Sequence, residues 1–472
     1  MKSHRFPWVV AVLLLAAGSM LHAAEEARPN VLFIAVDDLN DWVGFLDGNT
    51  QTITPNLDRL AARGVTLTRA YCAAPLCNPS RTALMSGLRP STSGVYTNGN
   101  DFRPAIGEEL MLTTAFRKAG YYTAGAGKIY HERFARHAEW DDYLEDHGRD
   151  PEPTGDKGVG GIKFAPLDCQ DEDLREWKLV DYAIRQLQQT REQPLFLTVG
   201  LFKPHMPWNV PRKYYDLHPL DTIVLPEIRE DDLTDVPPAG IAMAKPDGDH
   251  RQILDSGRWK EAVQAYLAAI SFTDVQIGRL LDALDQSPCR DNTVIVLWGD
   301  HGWHLGEKQH WRKFTLWEEA TRAPLIWVAP GVTQPGTHSD RPVDFMSIFP
   351  TLTDLAGIPT PEHVEGKSIR SLLANPEAHW SEPAITTYGQ NNHAVRTERW
   401  RYIRYANGDE ELYDELADPH EWTNLAGRSD LVDVKEKLAA LLPTLNAPEI
   451  GREAAAGNGN RRGRRARVTA DN

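Results

Sequence analysis

A chain of 472 residues with 51 basic and 66 acidic side chains, a net charge of −15, is long enough for one large domain and a smaller one. That charge argues against general binding to nucleic acid or anionic lipid, so an anionic substrate needs a pocket of locally positive charge. Its four cysteines, Cys72, Cys77, Cys169 and Cys289, are too few for a disulfide scaffold, and their spacing does not say which of them pair.

Residues 1–24 carry Lys2 and Arg5, then an apolar run over 8–17, then the small residues Ala23 and Ala24. This is the layout of a cleaved secretory signal, and the run is well short of the roughly 20 apolar residues that cross a bilayer. The expected mature protein begins near Glu25, is periplasmic or secreted, and has no stable membrane anchor.

Residues 25–380 alternate short apolar, β-branched runs with helical patterns, which predicts an α/β domain built on a large, doubly wound, mostly parallel sheet. Strands are predicted at 31–36, 122–126, 195–201, 293–298 and 325–328, and helices at 55–63, 113–119, 174–190 and 259–284. In the last of these helices Val263, Tyr266, Leu267, Ile270, Ile277, Leu280, Leu281 and Leu284 recur at three- and four-residue spacing, a core-packing stripe. Over 381–445 the pattern turns to short strands and turns, predicting a small C-terminal α+β subdomain. Residues 446–472, Gly/Asn-rich from Gly457 and then carrying Arg461, Arg462, Arg464, Arg465 and Arg467, read as a solvated disordered basic tail.

Three clusters carry chemistry. Asp37-Asp38 stands where the first predicted strand ends, the side of an open α/β sheet on which sites are built. Adjacent carboxylates there repel unless a cation lies between them, and their hard oxygens suit calcium or magnesium, although an isolated Asp-Asp is also a turn former or helix cap. Asp300-His301 follows the 293–298 strand in the same way and could complete such a site. Cys77-Asn78-Pro79-Ser80-Arg81, continuing through Thr82, Ala83 and Leu84 to Gly87, is the specific signal.

This third segment resembles the signature of the type I sulfatases of the alkaline phosphatase superfamily, Cys-x-Pro-Ser-Arg with a following Leu and Gly, which directs oxidation of the cysteine to formylglycine. The resemblance extends to Lys128-Ile129-Tyr130-His131, to Lys203-Pro204-His205-Met206-Pro207, and to the run from Asp300 to Glu307 with Lys313 beyond it. It continues in Glu411-Leu412-Tyr413-Asp414 with Asp418-Pro419, and the variants are most similar to the iduronate-2-sulfatase branch.

The resemblance implies a sulfuric ester hydrolase whose nucleophile is a formylglycine made from Cys77 by a separate maturation enzyme. It implies calcium held by Asp37, Asp38, Asp300, His301 and residue 77, with Arg81 in support. Lys128 and Lys313 would clamp sulfate oxygens, His205 would protonate the leaving alcohol and His131 would assist the second hydroxyl of the hydrate.

The implied substrate is a sulfated carbohydrate, with a uronic-acid-containing polysaccharide or oligosaccharide foremost. Lys203, Trp303, His304, His310 and Trp311 fall near the expected pocket, where they could contact a sugar or simply pack the loop. The competing readings are a choline- or arylsulfatase, a phosphoryl or phosphonate hydrolase of the same superfamily, and a non-catalytic glycan-binding protein. A two-metal phosphatase is disfavoured because only Asp300 and His304 show an Asp-x-x-x-His spacing, and Asp300 already belongs to the first site.

Overall fold

The protein is described by a computed structural model covering residues 28–131, 134–145 and 148–451; the expected secretory leader and the arginines of the tail lie outside these residues. An eight-stranded sheet runs through the large domain. Its strands are β1 (Asn30–Val36), β2 (Val65–Leu67), β3 (Tyr122–Gly127), β4 (Asp142–Leu144), β5 (Leu195–Leu201), β6 (Thr293–Gly299), β7 (Leu325–Val328) and β8 (Thr337–Ser339). They lie in the order β8-β2-β7-β6-β1-β5-β3-β4. All pairings are parallel except those of β7, which runs antiparallel to both β6 and β2.

Alternation along β1 explains why both faces are covered. Leu32, Ile34 and Val36 enter one apolar cluster, and Val31, Phe33 and Ala35 enter the other. On the first face pack α1 (Pro55–Ala61), α4 (Arg175–Leu187) and the 27-residue α5 (Trp259–Asp285), whose predicted stripe is buried there. On the second pack α2 (Cys77–Ser86), α3 (Leu112–Lys118) and α6 (Ile348–Leu355). The three-residue strands β2, β4 and β8 are absent from the sequence reading because so few residues show no period.

The C-terminal unit is an antiparallel meander of β9 (Ala384–Thr387), β10 (His393–Arg396), β11 (Trp400–Arg404) and β12 (Glu410–Asp414), covered by α7 (Val432–Ala439). Its other face, through Ala394, Ile403 and Tyr413, packs on Leu316 and Trp317 of the large domain. The segment expected to start a disordered tail is docked instead over 446–451. The Ala447 N–H bonds Ser91 O at 2.8 Å and the Ile450 N–H bonds Gly94 O at 3.0 Å. Asn100 Nδ2 donates to Ile450 O at 2.8 Å. Backbone pairing and the buried Asn100 side chain, which composition does not register, hold these residues in place. Cys72, Cys77, Cys169 and Cys289 are all free thiols, and no helix among the described residues is long and apolar enough to cross a membrane.

Register positions the chemistry. Val36 of β1 lies opposite Leu201 of β5 and Gly299 of β6, and Gly127 of β3 lies opposite Gly200. The carboxyl ends of four neighbouring strands therefore finish at one level, and the residues that follow each of them meet.

Candidate active site

Asp37 and Asp38 leave β1 in a turn in which Asp38 takes the left-handed backbone conformation, φ 59°. That conformation is uncommon for a residue with a side chain, and here three contacts hold it. The Asp38 N–H donates to Asp300 Oδ1 at 2.9 Å, and the Tyr266 hydroxyl of α5 donates to Asp38 O at 2.7 Å while accepting the Asn40 N–H at 3.0 Å. Asp300 leaves β6 with its N–H on Val36 O at 3.1 Å, so Asp38 and Asp300, 262 residues apart in sequence, share one corner.

Cys77 is the first residue of α2 and is buried, with Sγ 3.4 Å from His301 Nε2, 3.1 Å from Lys313 Nζ and 3.9 Å from Asp38 Oδ1. Ser80, on the same turn, donates to Asp300 O at 2.6 Å and ties the helix to β6. Arg81, four residues after Cys77 and so on the same helix face, is fully buried. Its Nε donates to Asp300 Oδ2 at 2.8 Å, its Nη2 to Asp37 Oδ1 at 3.2 Å, and its Nη1 to Lys128 O. Lys128 in turn pairs with Asp37 Oδ2, and Lys313 Nζ lies 2.7 Å from Asp38 Oδ1.

Three buried carboxylates thus face three buried cations. Burial raises Asp37, but Lys128, His205, Arg81 and Lys313 outweigh it and hold the carboxyl well below its usual range. Asp38 moves the other way, raised by burial and by Asp37 and Asp300 against Lys313. Burial also pushes the Cys77 thiol far up, only partly offset by Lys128 and Lys313. A buried neutral thiol is a poor nucleophile. Burial, reinforced by Lys128, pulls both His131 and His205 down to about 3, so both imidazoles are neutral in the free protein.

The donor atoms of Asp37, Cys77, Asp300 and His301 all lie within 4.8 Å of one another, as do those of Asp37, Asp38, Cys77 and His205. Asp38 Oδ2 is buried without a hydrogen-bond donor. An orphaned carboxylate oxygen is costly, and a hard divalent cation satisfies it, so this donor set fits calcium.

Residues 29–358 match the sulfatase family model, and residues 306–447 match the model described as N-sulphoglucosamine sulphohydrolase, C-terminal. The chain belongs to the sulfatase family. A sulfatase of Formosa agariphila is 41% identical over 449 residues, covering 90% of this chain and 88% of that protein. The iduronate 2-sulfatase of Mus musculus is 32% identical over 419 residues, 75% of each chain. A protein solved in complex with D-glucosamine-2-N,6-O-disulfate superposes with a TM-score of 0.72 at 21% identity, over 88% of this chain and 97% of its own, which shows the shared fold.

In this sulfatase a cleft of about 820 Å³ opens beside the buried cluster, lined at its inner end by Lys128, His131 and His205. His205 is 34% exposed, with Nε2 3.8 Å from Asp38 Oδ2 and Nδ1 2.5 Å from Met206 O. Lys203 also lines the cleft, but its Nζ is held by Pro207 O at 2.8 Å.

The aromatic and histidine residues expected at the pocket are placed differently. His304 bonds Glu307 O and Thr315 Oγ1, and His310 bonds Ala244 O and Lys313 O, so both ring nitrogens of each buried imidazole are taken within the protein. Trp303 and Trp311 are buried as well. These four residues brace the Lys313 loop, with the Trp303 ring 5.4 Å from Lys313 Nζ, and none presents a free imidazole nitrogen to a sugar. The contributions of Ser80 and Tyr266 escape a sequence reading. Ser80 lies inside the signature without a stated role, and Tyr266 is hidden in an apolar stripe.

Proposed function

We propose that this sulfatase is an exported, calcium-dependent type I enzyme that removes sulfate from a uronic-acid-containing polysaccharide or oligosaccharide. Its nucleophile would be a formylglycine made from Cys77 by a separate maturation enzyme. The observation that carries this reading is the position of Cys77 Sγ, which stands where the hydrate oxygens would be and lies among Asp38, His301 and Lys313. Hydrated formylglycine would supply two geminal hydroxyls, one to attack sulfur and one to expel sulfate, with calcium lowering the pKa of the first.

The chain's own residues do the rest. Asp37, Asp38, Asp300 and His301 would hold the ion, and Arg81 keeps Asp37 and Asp300 turned toward it. Three acids against three cations leave the cluster balanced, so a bound divalent ion gives it the positive charge an anionic ester requires. Lys128 and Lys313 would then turn from the carboxylates to the sulfate oxygens. Burial, with the repulsion of Lys128 and Lys313 added to it, holds His205 neutral, and an anion between the lysines would offset the repulsive part, so that His205 would gain its proton with the substrate and pass it to the leaving oxygen. His131, beside Lys128, would serve the second hydroxyl.

The glycan reading is supported by the likeness to iduronate 2-sulfatase and by a cleft toward the upper end of the roughly 300–1,000 Å³ of small-ligand sites. Choline sulfate would need an aromatic or anionic cage for its ammonium, whereas this cleft sets four cations, Lys128, Arg149, Arg175 and Lys203, against two acids, Asp150 and Glu152. A second metal, as in the phosphatases, finds no separate site among the described residues, because the two possible ligand groups overlap at Asp37 and Cys77.

Two measurements test the proposal. The Cys77 peptide should be lighter by about 18 Da after co-expression with a maturation enzyme. Ion chromatography should detect sulfate released from 2-O-sulfated uronate disaccharides. A persistent thiol would overturn the formylglycine mechanism, and activity confined to aryl or choline sulfates would overturn the glycan assignment.

A further inference from the structure

The cleft outside His205 carries more positive charge than sulfate binding uses. Among its lining residues are the cations Lys128, Arg149, Arg175 and Lys203 and the acids Asp150 and Glu152. Three of the cations are already engaged. Lys128 pairs with Asp37, the Arg175 Nε lies 3.3 Å from Asp150 Oδ2, and Lys203 Nζ lies 3.9 Å from the same oxygen while bonding Pro207 O. The acids are engaged too. Asp150 also accepts the Arg175 N–H through Oδ1 at 2.9 Å, and Glu152 pairs with Lys157 at 3.0 Å. Arg149 has no carboxylate or hydrogen-bond partner among the described residues, and it lines the same cleft as Lys128, His131 and His205.

A guanidinium without a partner among the described residues, exposed on the wall of this cleft in a chain of net charge −15, is selective for a second negative group on the ligand. Its planar fork matches a carboxylate through two parallel N–H···O bonds. The two acids that share its cleft are turned to Arg175, Lys203 and Lys157.

We propose that Arg149 is a specificity-determining residue that binds the uronate carboxylate of the sulfated sugar while its sulfate ester lies between Lys128 and Lys313. This rests on the glycan reading above and names the residue that would make a sulfated uronate a better substrate than a neutral sulfated sugar. Sulfate esters and carboxylates share the chemistry of an oxyanion, so the test separates them.

Steady-state kinetics of the mature enzyme and its Arg149→Ala and Arg149→Lys variants would be measured on three substrates: a 2-O-sulfated uronate disaccharide, the same disaccharide with its carboxyl reduced to the alcohol, and 4-nitrophenyl sulfate. Loss of one charge-assisted, bidentate contact predicts that R149A lowers kcat/KM on the uronate about 10- to 100-fold, mainly through KM. R149K should recover part of that loss, and both variants should match the wild type on the reduced sugar and on the aryl sulfate. If R149A keeps wild-type kcat/KM on the uronate, or loses as much on the reduced sugar, the carboxylate contact is overturned while the sulfatase reading stands. A wild type that cleaves 4-nitrophenyl sulfate but no sulfated uronate overturns the glycan reading, and the Arg149 assignment with it.

Discussion

An alkyl sulfate must expel an alkoxide, a far poorer leaving group than a phenolate, so a sugar sulfatase has to deliver a proton as the S–O bond breaks. His205, partly open to the cleft and 3.8 Å from Asp38, is the side chain proposed above for that delivery. Replacing it with alanine should cost about 10²- to 10⁴-fold in kcat on a sugar sulfate. The same variant should lose little on 4-nitrophenyl sulfate, whose leaving group needs no proton, and equal losses on both substrates would reject the acid role. At this scale the sequence was informative wherever residue type is dictated by chemistry. Cys77, Arg81, Lys128, Lys313 and the three aspartates all meet in one cluster. It left His304 and His310 open, because an imidazole beside a site reads the same whether its nitrogens face a ligand or bond the loop that carries it, and the structure decides for the loop.

At the scale of elements, the site depends on strand ends finishing together, and Gly200 shows how tight that arrangement is. A Cβ built on Gly200 would lie 2.3 Å from the carbonyl carbon and oxygen of Lys128, so the chain leaving β3 crosses where only a glycine fits. Gly200→Ala must push the Lys128 backbone aside, and a shift of that size at the lysine proposed to clamp sulfate is worth about 10²-fold in kcat. Gly427→Ala, which meets nothing within 4 Å, is the control and should be neutral. Kinetics on 4-nitrophenyl sulfate would report the difference, and wild-type turnover in Gly200→Ala would refute it. The long strands and α5 were legible because their apolar periods run for many residues. The antiparallel direction of β7 was not, since a buried strand has the same pattern in either direction.

At the scale of the molecule, the C-terminal unit holds the loop that presents Lys313. Arg401 of β11 is 1% exposed. It donates to Leu316 O and Thr321 Oγ1, each at 3.1 Å, and pairs with Glu318, with Glu415 at 3.0 Å and with Glu421 at 2.6 Å. Lys308, just before Lys313, pairs with Asp232 at 2.7 Å and bonds Glu421 O. Removing Arg401 takes the guanidinium partner from buried Glu421 and leaves Arg396 alone to face both Glu318 and Glu415, so Arg401→Ala should destabilise by about 3–5 kcal/mol. Calorimetry should show a Tm lower by about 5 °C. An unchanged Tm would mean that the two units are coupled by apolar packing alone.

The sequence by itself determined the reaction class, because that rests on short contiguous motifs and on residue types that few chemistries use. It also determined the layered α/β architecture, because burying a strand on both faces demands a continuous apolar run. Only the tertiary structure decided which charges remain free. Pairing is a property of distances between residues remote in the chain, and it separates Arg149, without a partner among the described residues, from Arg175 and Lys203, which have partners in the cleft.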